Sequence, residues 1–263
     1  MDKKVPTPLP IDMTPYQKFK QECKAEIAAQ NNQGMWQKTS DWMFDESMRH
    51  YSYHYEWLGR PIIQFPQDIV QFQEIVMQTK PDLIIETGIA HGGSLVLSAS
   101  MLALLDIMNG KNISGSMVLG IDIDIREHNR IAIEQHPFAS KIKMLQGSSI
   151  APEIVEQVKN YAEKFKRIMV CLDSNHTHDH VLEELKACSP LVSEGCYLIV
   201  WDTIVEDMPS GYVKDRPWGK GNNPKTAVWE FLKTNSDFEI DKEIQNKLLI
   251  TVAPDGYLKR VKK

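Results

Sequence analysis

From residue 83 to residue 200 the chain alternates short, nearly continuous apolar runs with longer amphipathic stretches. The apolar runs cover 83–85, 117–121, 142–145, 168–172 and 197–200, and helical spacing follows at about 94–108, 127–135, 152–165 and 179–189. A strand that is apolar along its whole length must be covered on both faces, which is the situation of a parallel sheet. The β-α alternation supplies the crossovers that such a sheet needs and predicts a doubly wound α/β unit. Upstream, Ile69, Phe72 and Val76 share one face of a helix predicted over 67–79. Thr14 is expected to cap a first helix, with Pro15 in its opening turn, that runs to about Ala29 and stops at Asn31-Asn32-Gln33-Gly34. Between these two helices lies an aromatic-dense stretch holding Trp36, Trp42, Phe44, Tyr51, Tyr53, Tyr55 and Trp57.

The alternation breaks near the end. After a helix at about 224–234 come two extended segments, 238–244 and 248–252, with only a short connection between them. Parallel neighbours need a crossover of ~10–12 residues or more, so these two are expected to pair antiparallel. Residues 253–257 read as a turn, with a last short extended piece beyond. Five parallel strands, a C-terminal antiparallel pair and helices on both faces make the Rossmann-like α/β sheet of class I methyltransferases. The division expected is an N-terminal helical and aromatic extension over 1–60, serving as arm, lid or interface, and one methyltransferase domain over 61–263.

Composition narrows the partners. Of 263 residues, 42% are apolar, enough for a sizeable core, yet no run of ~18 apolar residues exists to span a membrane. The opening residues lead into prolines and polar groups, which is not the pattern of a signal peptide. A net charge of −5 argues against nucleic acid and anionic membranes as partners. Cys23, Cys171, Cys188 and Cys196 have no metal spacing and are expected to be free thiols in a cytoplasmic protein.

At the end of the first sheet strand stands Glu86-Thr87-Gly88-Ile89-Ala90-His91-Gly92-Gly93-Ser94. Glycines there let backbone approach a ligand, and the helix that follows offers unpaired N–H groups. Ala90 replaces the second glycine of the dinucleotide fingerprint. An acid followed by G-x-x-x-G-G suits a ligand with an amino acid tail and no pyrophosphate. Glu86 would anchor the ammonium side, with Gly88, His91, Gly92 and Ser94 around it; the alternative is a tight turn without a ligand. Asp122 ends the second strand, where a carboxylate accepts ribose hydroxyls, with Asp124 as its rival. Gly147-Ser148-Ser149 ends the third and would meet an adenine edge.

Asp173 follows the fourth strand and Asp202 the fifth. Adjacent strand ends bring them within reach of one cation, and two carboxylates, waters and substrate hydroxyls complete the octahedron of Mg²⁺. The competing role for each is a helix cap or loop hydrogen bond. His176, His178 and His180 invite a transition-metal reading. The tract falls one residue short of the metallo-β-lactamase pattern H-x-H-x-D-H, and a two-histidine, one-carboxylate iron site is a second possibility. The preferred assignment makes His176 a general base and leaves His178 and His180 at the start of a helix or in solvent. The long loop over 203–223 lies beside these residues as a lid, a binding loop or plain surface. From it Tyr212, Arg216 and Trp218 could stack on or hydrogen-bond a sugar.

The blocks IIETGIAHGGS, VLGIDIDI, GSS, LDSNHTHDHVLEELKACSPLVSEGCYLIVWDT and NPKTAVWEFL resemble the cephalosporin hydroxylase/rhamnosyl O-methyltransferase family, over about three-quarters of the chain. The resemblance implies an S-adenosylmethionine (SAM) binding fold, Mg²⁺-dependent methylation of sugar or antibiotic hydroxyls, and a homo-oligomer. Carried over by position, Glu86, Gly88, Asp122 and Ser148 bind SAM. Asp173 is shared between cofactor and metal, Asp202 is the second metal ligand, and His176 is the base. Family members commonly carry an acidic pair after the fifth strand; here its first member is Trp201, which cannot replace a carboxylate ligand. The function expected is SAM-dependent O-methylation of a sugar-like small molecule, set against a non-haem iron oxygenase and an inactive SAM-binding scaffold.

Overall fold

The computed structural model describes residues 14–30, 34–45, 50–110 and 115–262. Helix α1 spans Thr14–Gln30 and α2 spans Met35–Met43. Thr14 is the first helical residue of α1, and the residue before it lies outside the described ones, as do Asn31, Asn32 and Gln33. The aromatic stretch then does something the sequence did not announce. Strands β1 (Tyr55–Trp57) and β2 (Arg60–Ile62) form an antiparallel ribbon, turning at Leu58 and Gly59, both at positive φ. Two consecutive positive φ values are what a tight two-residue hairpin requires.

Helix α3 (Pro66–Thr79) starts with proline in its first turn and buries Phe72, Ile75 and Val76. The five apolar runs become β3 (Leu83–Thr87), β4 (Met117–Asp122), β5 (Ile142–Gln146), β6 (Ile168–Leu172) and β7 (Tyr197–Val200). Helices α4 (Gly93–Met108), α5 (Glu127–Glu134), α6 (Pro152–Ala162) and α7 (His178–Cys188) alternate with them. After α8 (Pro224–Thr234) come β8 (Phe238–Ile240), α9 (Lys242–Leu248) and β9 (Tyr257–Arg260). The sheet order is β5-β4-β3-β6-β7-β9-β8, parallel from β5 to β7, with β9 antiparallel to both neighbours.

Strand alternation sorts the core into two layers. Ile84, Val118, Met169, Cys171 and Ile199 face Phe72, Val76, Leu95, Leu102 and Ile244. Leu83, Ile85, Leu119, Val170 and Leu198 face Ile154, Val181, Leu185, Val228 and Phe231 on the other side. Each such side chain contributes roughly 1.5–3 kcal/mol by leaving water.

The terminal antiparallel pair is present, but its second strand is not 248–252. Asp241 accepts a hydrogen bond from Glu243 N and opens α9, and Leu249 at positive φ turns the chain away. Thr251 and Val252 are then spent on a buried carboxylate: Thr251 Oγ1 and Val252 N donate to Asp68 at 2.5 and 2.9 Å. The sheet resumes at Tyr257, whose hydroxyl reaches the same Asp68 at 2.7 Å. All four cysteines are free, three of them buried. Among the described residues no helix is long and apolar enough to cross a membrane.

Candidate active site

The register aligns the ends of three adjacent strands, since Thr87 pairs with Leu172 and Leu172 with Val200. The next residues, Gly88, Asp173 and Trp201, therefore stand side by side at the carboxyl edge, where open α/β sheets bind ligands. Gly88 has φ 87°, and a Cβ there would lie 2.0 Å from the Asp173 carbonyl oxygen. Its lack of a side chain thus serves a close approach to the neighbouring strand end as well as the turn. A Cβ on Gly93 would lie 2.2 Å from the Pro61 carbonyl oxygen, so strand β2 of the ribbon rides directly over the start of α4.

Beneath this edge lies a cavity of about 650 Å³ that Glu86, Gly88, His91, Gly92, Ser94 and Asp173 all line. Glu86 is 3% exposed and accepts a hydrogen bond from the Ser94 hydroxyl. Burial raises its carboxyl to about 7 against that bond. Gln64, also in the wall, carries a buried side-chain oxygen with no hydrogen-bond partner. The glycine loop is held by its surroundings: Arg60 Nε donates to the His91 carbonyl at 2.9 Å and Asn129 Nδ2 to that of Ala90 at 2.8 Å. Asp122 contributes too, accepting from Ile89 N at 2.7 Å and from Asp124 N at 2.9 Å. Asp122 and Ser148 do not line the cavity; Asp122 ends β4 and Ser148 follows β5, farther along the same edge.

Asp173, His176 and Asp202 come together, each offering a ligand atom within 4.8 Å of the others. His176 Nε2 lies 2.8 Å from Asp202 Oδ2. Burial works against the imidazolium, but the charge and hydrogen bond of Asp202, helped by Asp173, raise His176 to about 9. Burial, then Asp202, pushes Asp173 well above the usual carboxylate range, against the pull of His176. Asp202 itself sits at φ 54°, an uncommon conformation for a residue with a side chain. His178 and His180 do begin a helix, but neither faces open solvent. His178 Nδ1 meets Thr226 Oγ1 at 2.8 Å and Nε2 lies 3.3 Å from Glu230. His180 Nε2 meets Ser149 Oγ at 3.1 Å and Ser174 Oγ at 3.3 Å. The cluster therefore holds one histidine and two carboxylates, the reverse of the iron triad.

Trp201 also lines the cavity, its indole edge-on to Tyr257 at 5.8 Å and buried to 7% exposure. Asp68, in contact with that tyrosine, is raised to about 6 by burial despite its hydrogen bonds from Thr251, Val252 and Tyr257. The loop after β7 forms a wall. Trp218 packs against the His176 ring at 5.0 Å, and Tyr212 meets Phe44 edge-on at 5.8 Å. Glu206 clamps the base of the loop by accepting from Gly221 N at 2.7 Å and from the Asn223 side chain. Tyr53, Gln64 and Asp68 complete the walls, and nothing in their sequence spacing singles them out.

The sequence model of the rhamnosyl O-methyltransferase/CmcI family matches residues 49–261. The chain belongs to this family. A rhamnosyl O-methyltransferase of Mycobacterium tuberculosis is 31% identical over 198 residues, 73% of this chain and 73% of that protein. That of Mycobacterium leprae is 28% identical over 205 residues, 78% of this chain and 82% of that one. Among solved structures, CmcI with Mg and SAM aligns at TM-score 0.52 and 21% identity, over 80% of this chain and 77% of that one. CmcI with SAH aligns at 0.53 and 20%, over 79% and 82%. The fold is thus that of class I methyltransferases, and the family is the one the sequence blocks resemble. Membership in the rhamnosyl O-methyltransferase/CmcI family makes this chain an O-methyltransferase, as expected.

Proposed function

We propose that this protein transfers a methyl group from SAM to a hydroxyl of a sugar, with Mg²⁺ held at Asp173 and Asp202. The observation that carries the reading is one cavity joining Glu86 to the Asp173, His176 and Asp202 cluster. A buried carboxyl and an unpartnered amide oxygen on Gln64, both in the walls of this cavity, fit an ammonium group, whose binding relieves their desolvation. The two carboxylates, open to water and substrate oxygens, fit a hard divalent ion, and the imidazole beside them is left as the base. The rhamnosyl O-methyltransferases among its relatives point to a sugar as acceptor.

Glu86 and Gln64 receive the amino end of the methionine tail, with Gly88, His91, Gly92 and Ser94 shaping that end. Asp122 takes the ribose and the Ser148 turn flanks the adenine, where β4 and β5 end. When bound, SAM supplies an electrophilic methyl on a sulfonium, and Mg²⁺ lowers the pKa of the acceptor hydroxyl. His176 would take the hydroxyl proton: Asp202 holds it up near 9 while the two carboxylates are free, and a cation bound between them would offset that pull and leave Nε2 neutral to accept. Because charge is neutralised as the methyl moves, the walls mainly orient the two partners. The reading extends to a cytoplasmic homo-oligomer with no nucleic acid or membrane partner. Residues 1–60 serve as an extension whose Tyr53 walls the site of a domain over 61–263.

Thermal unfolding with SAM or S-adenosylhomocysteine tests the cofactor half. At ~100 times Kd the stabilisation should be about 2.7 kcal/mol, and Asp122→Ala should remove most of it. An unchanged melting curve at millimolar SAM would sink the assignment. Methyl transfer to a sugar panel with EDTA or added Mg²⁺ tests the rest. His176→Ala should lose ~10²–10⁴-fold in turnover while still binding SAM.

A further inference from the structure

A second recess, of about 390 Å³, adjoins the cofactor cavity along Tyr53, His176, Asp202, Arg216 and Trp218, which line both. Glu86, Gly88 and Ser94 line only the larger space. His176 and Asp202 thus stand on a shared wall, with Asp173 on the larger side only, leaving room for SAM on one side and for a second molecule on the other.

The chemistry of the recess is uneven. His176 and Asp202 satisfy each other at 2.8 Å. Arg216 has no carboxylate partner among the described residues; its guanidinium lies 5.8 Å from the Trp218 ring centre. The recess therefore carries one histidine–carboxylate pair that is satisfied internally and one guanidinium without a carboxylate partner, in a protein of net charge −5. The indole is held in place by its neighbours. Asn222 Nδ2 donates to the Pro217 carbonyl at 3.0 Å, and Gly219 and Asn222 exchange backbone bonds at 2.9 and 3.0 Å. Below them Glu206 fixes Gly221 and Asn223. A fixed indole offers a flat apolar surface to the C–H face of a pyranose. A guanidinium beside it offers the planar fork that binds an oxyanion through two hydrogen bonds.

We propose that this recess is the acceptor subsite, and that the acceptor is a sugar bearing a phosphoryl group next to the ring. Trp218 stacks on the pyranose, Arg216 grips the phosphoryl oxygens, and a ring hydroxyl is presented to His176. The inference rests on the methyltransferase reading and narrows it from any sugar to a sugar phosphate ester. Two sources share that chemistry, a sugar 1-phosphate and a nucleoside diphosphate sugar.

The test is calorimetric titration of the full chain, saturated with S-adenosylhomocysteine and Mg²⁺, with three probes. These are methyl α-L-rhamnoside, L-rhamnose 1-phosphate and dTDP-L-rhamnose. Both phosphorylated probes should bind about 10- to 100-fold more tightly than the neutral glycoside, the scale of charge-assisted hydrogen bonds. Similar affinities for those two assign the sugar 1-phosphate as the recognised unit, and a further gain for the third assigns the nucleoside diphosphate. Arg216→Gln should erase the preference, Arg216→Lys should keep part of it, and Trp218→Ala should weaken all three probes together. Binding of S-adenosylhomocysteine is measured first in each variant, so that every titration starts from the saturated protein. Its absence in the wild-type protein overturns the methyltransferase reading itself. Intact S-adenosylhomocysteine binding with equal affinity for neutral and phosphorylated probes, with no binding of the phosphorylated ones at millimolar concentration, or with the preference surviving Arg216→Gln, overturns the acceptor proposal alone.

Discussion

Glu86 ends an apolar strand with a carboxyl that burial raises to about 7. The folded state holds this proton up to about pH 7 while the unfolded chain releases it near 4.5. The folded protein therefore binds more protons in that window, and stability falls as pH rises through it, by about 3 kcal/mol for a shift of this size. An ammonium ligand reverses the preference, because it needs the ionised carboxylate. SAM affinity should then weaken by about tenfold for each pH unit below 7, and Glu86→Gln should both weaken it and flatten the profile. Calorimetry between pH 5.5 and 8.5 reads both, and a flat wild-type profile would remove Glu86 from the ammonium site. Gly88→Ala should be at least as damaging. It imposes positive φ on a side chain and drives a Cβ into the Asp173 backbone, at ~1–3 kcal/mol for the φ alone. Metal response should suffer with stability, because the carboxylate beside the contact is displaced. Glu86, Asp173 and Asp202 were legible because each stands at the end of an apolar run, and His176 because it lies three residues past Asp173. Gln64 and Asp68 were not: they sit beside or within a helix of ordinary pattern, and their meaning comes from partners far along the chain, Thr251 for Asp68 among them.

At the scale of elements, the five parallel strands could be read because both faces are covered and every position is apolar. The C-terminal pair was harder. The run 248–252 is apolar enough to pass for a strand, yet Thr251 and Val252 are buried against Asp68, while β9 carries Lys259 and Arg260 and read only as a last short extended piece. Apolar pattern reports burial, and burial under a carboxylate leaves the same trace as burial in a sheet. The ribbon of β1 and β2 was hidden for a related reason, since an aromatic-dense stretch gives no period to count. One tie between elements makes a prediction. Lys141, at the entry to β5, is buried and donates to Asp106 of α4 at 2.8 Å and to Ser116 Oγ, just before β4, at 2.9 Å. Lys141→Ala strands a buried carboxylate and should cost ~3–5 kcal/mol in chemical denaturation. The pair Lys141→Met with Asp106→Leu should recover part of that loss, because neither charge is then left unmatched.

For the molecule as a whole, topology explains why the site is composite. The order β4-β3-β6-β7 places strand ends from four separate stretches along one edge, and the loop over 203–223 with the extension around Tyr53 closes it. Charge acts at the same scale. The chain carries −5 overall, and the unmatched Arg216 is one cation on a wall that also holds Asp202. A polyanion gains affinity by replacing many counterions at once, which takes a continuous basic surface. A single phosphoryl group needs only one well-placed guanidinium. The two cases should separate in solution. Duplex DNA, structured RNA and vesicles rich in phosphatidylglycerol should show no submicromolar binding at physiological salt, by fluorescence anisotropy and co-sedimentation, even where L-rhamnose 1-phosphate binds. Tight binding to any of these polyanions, lost at high salt, would mean that a basic surface dominates the long-range field in spite of the net charge. The acidic balance could then no longer be used to limit the partners to small molecules.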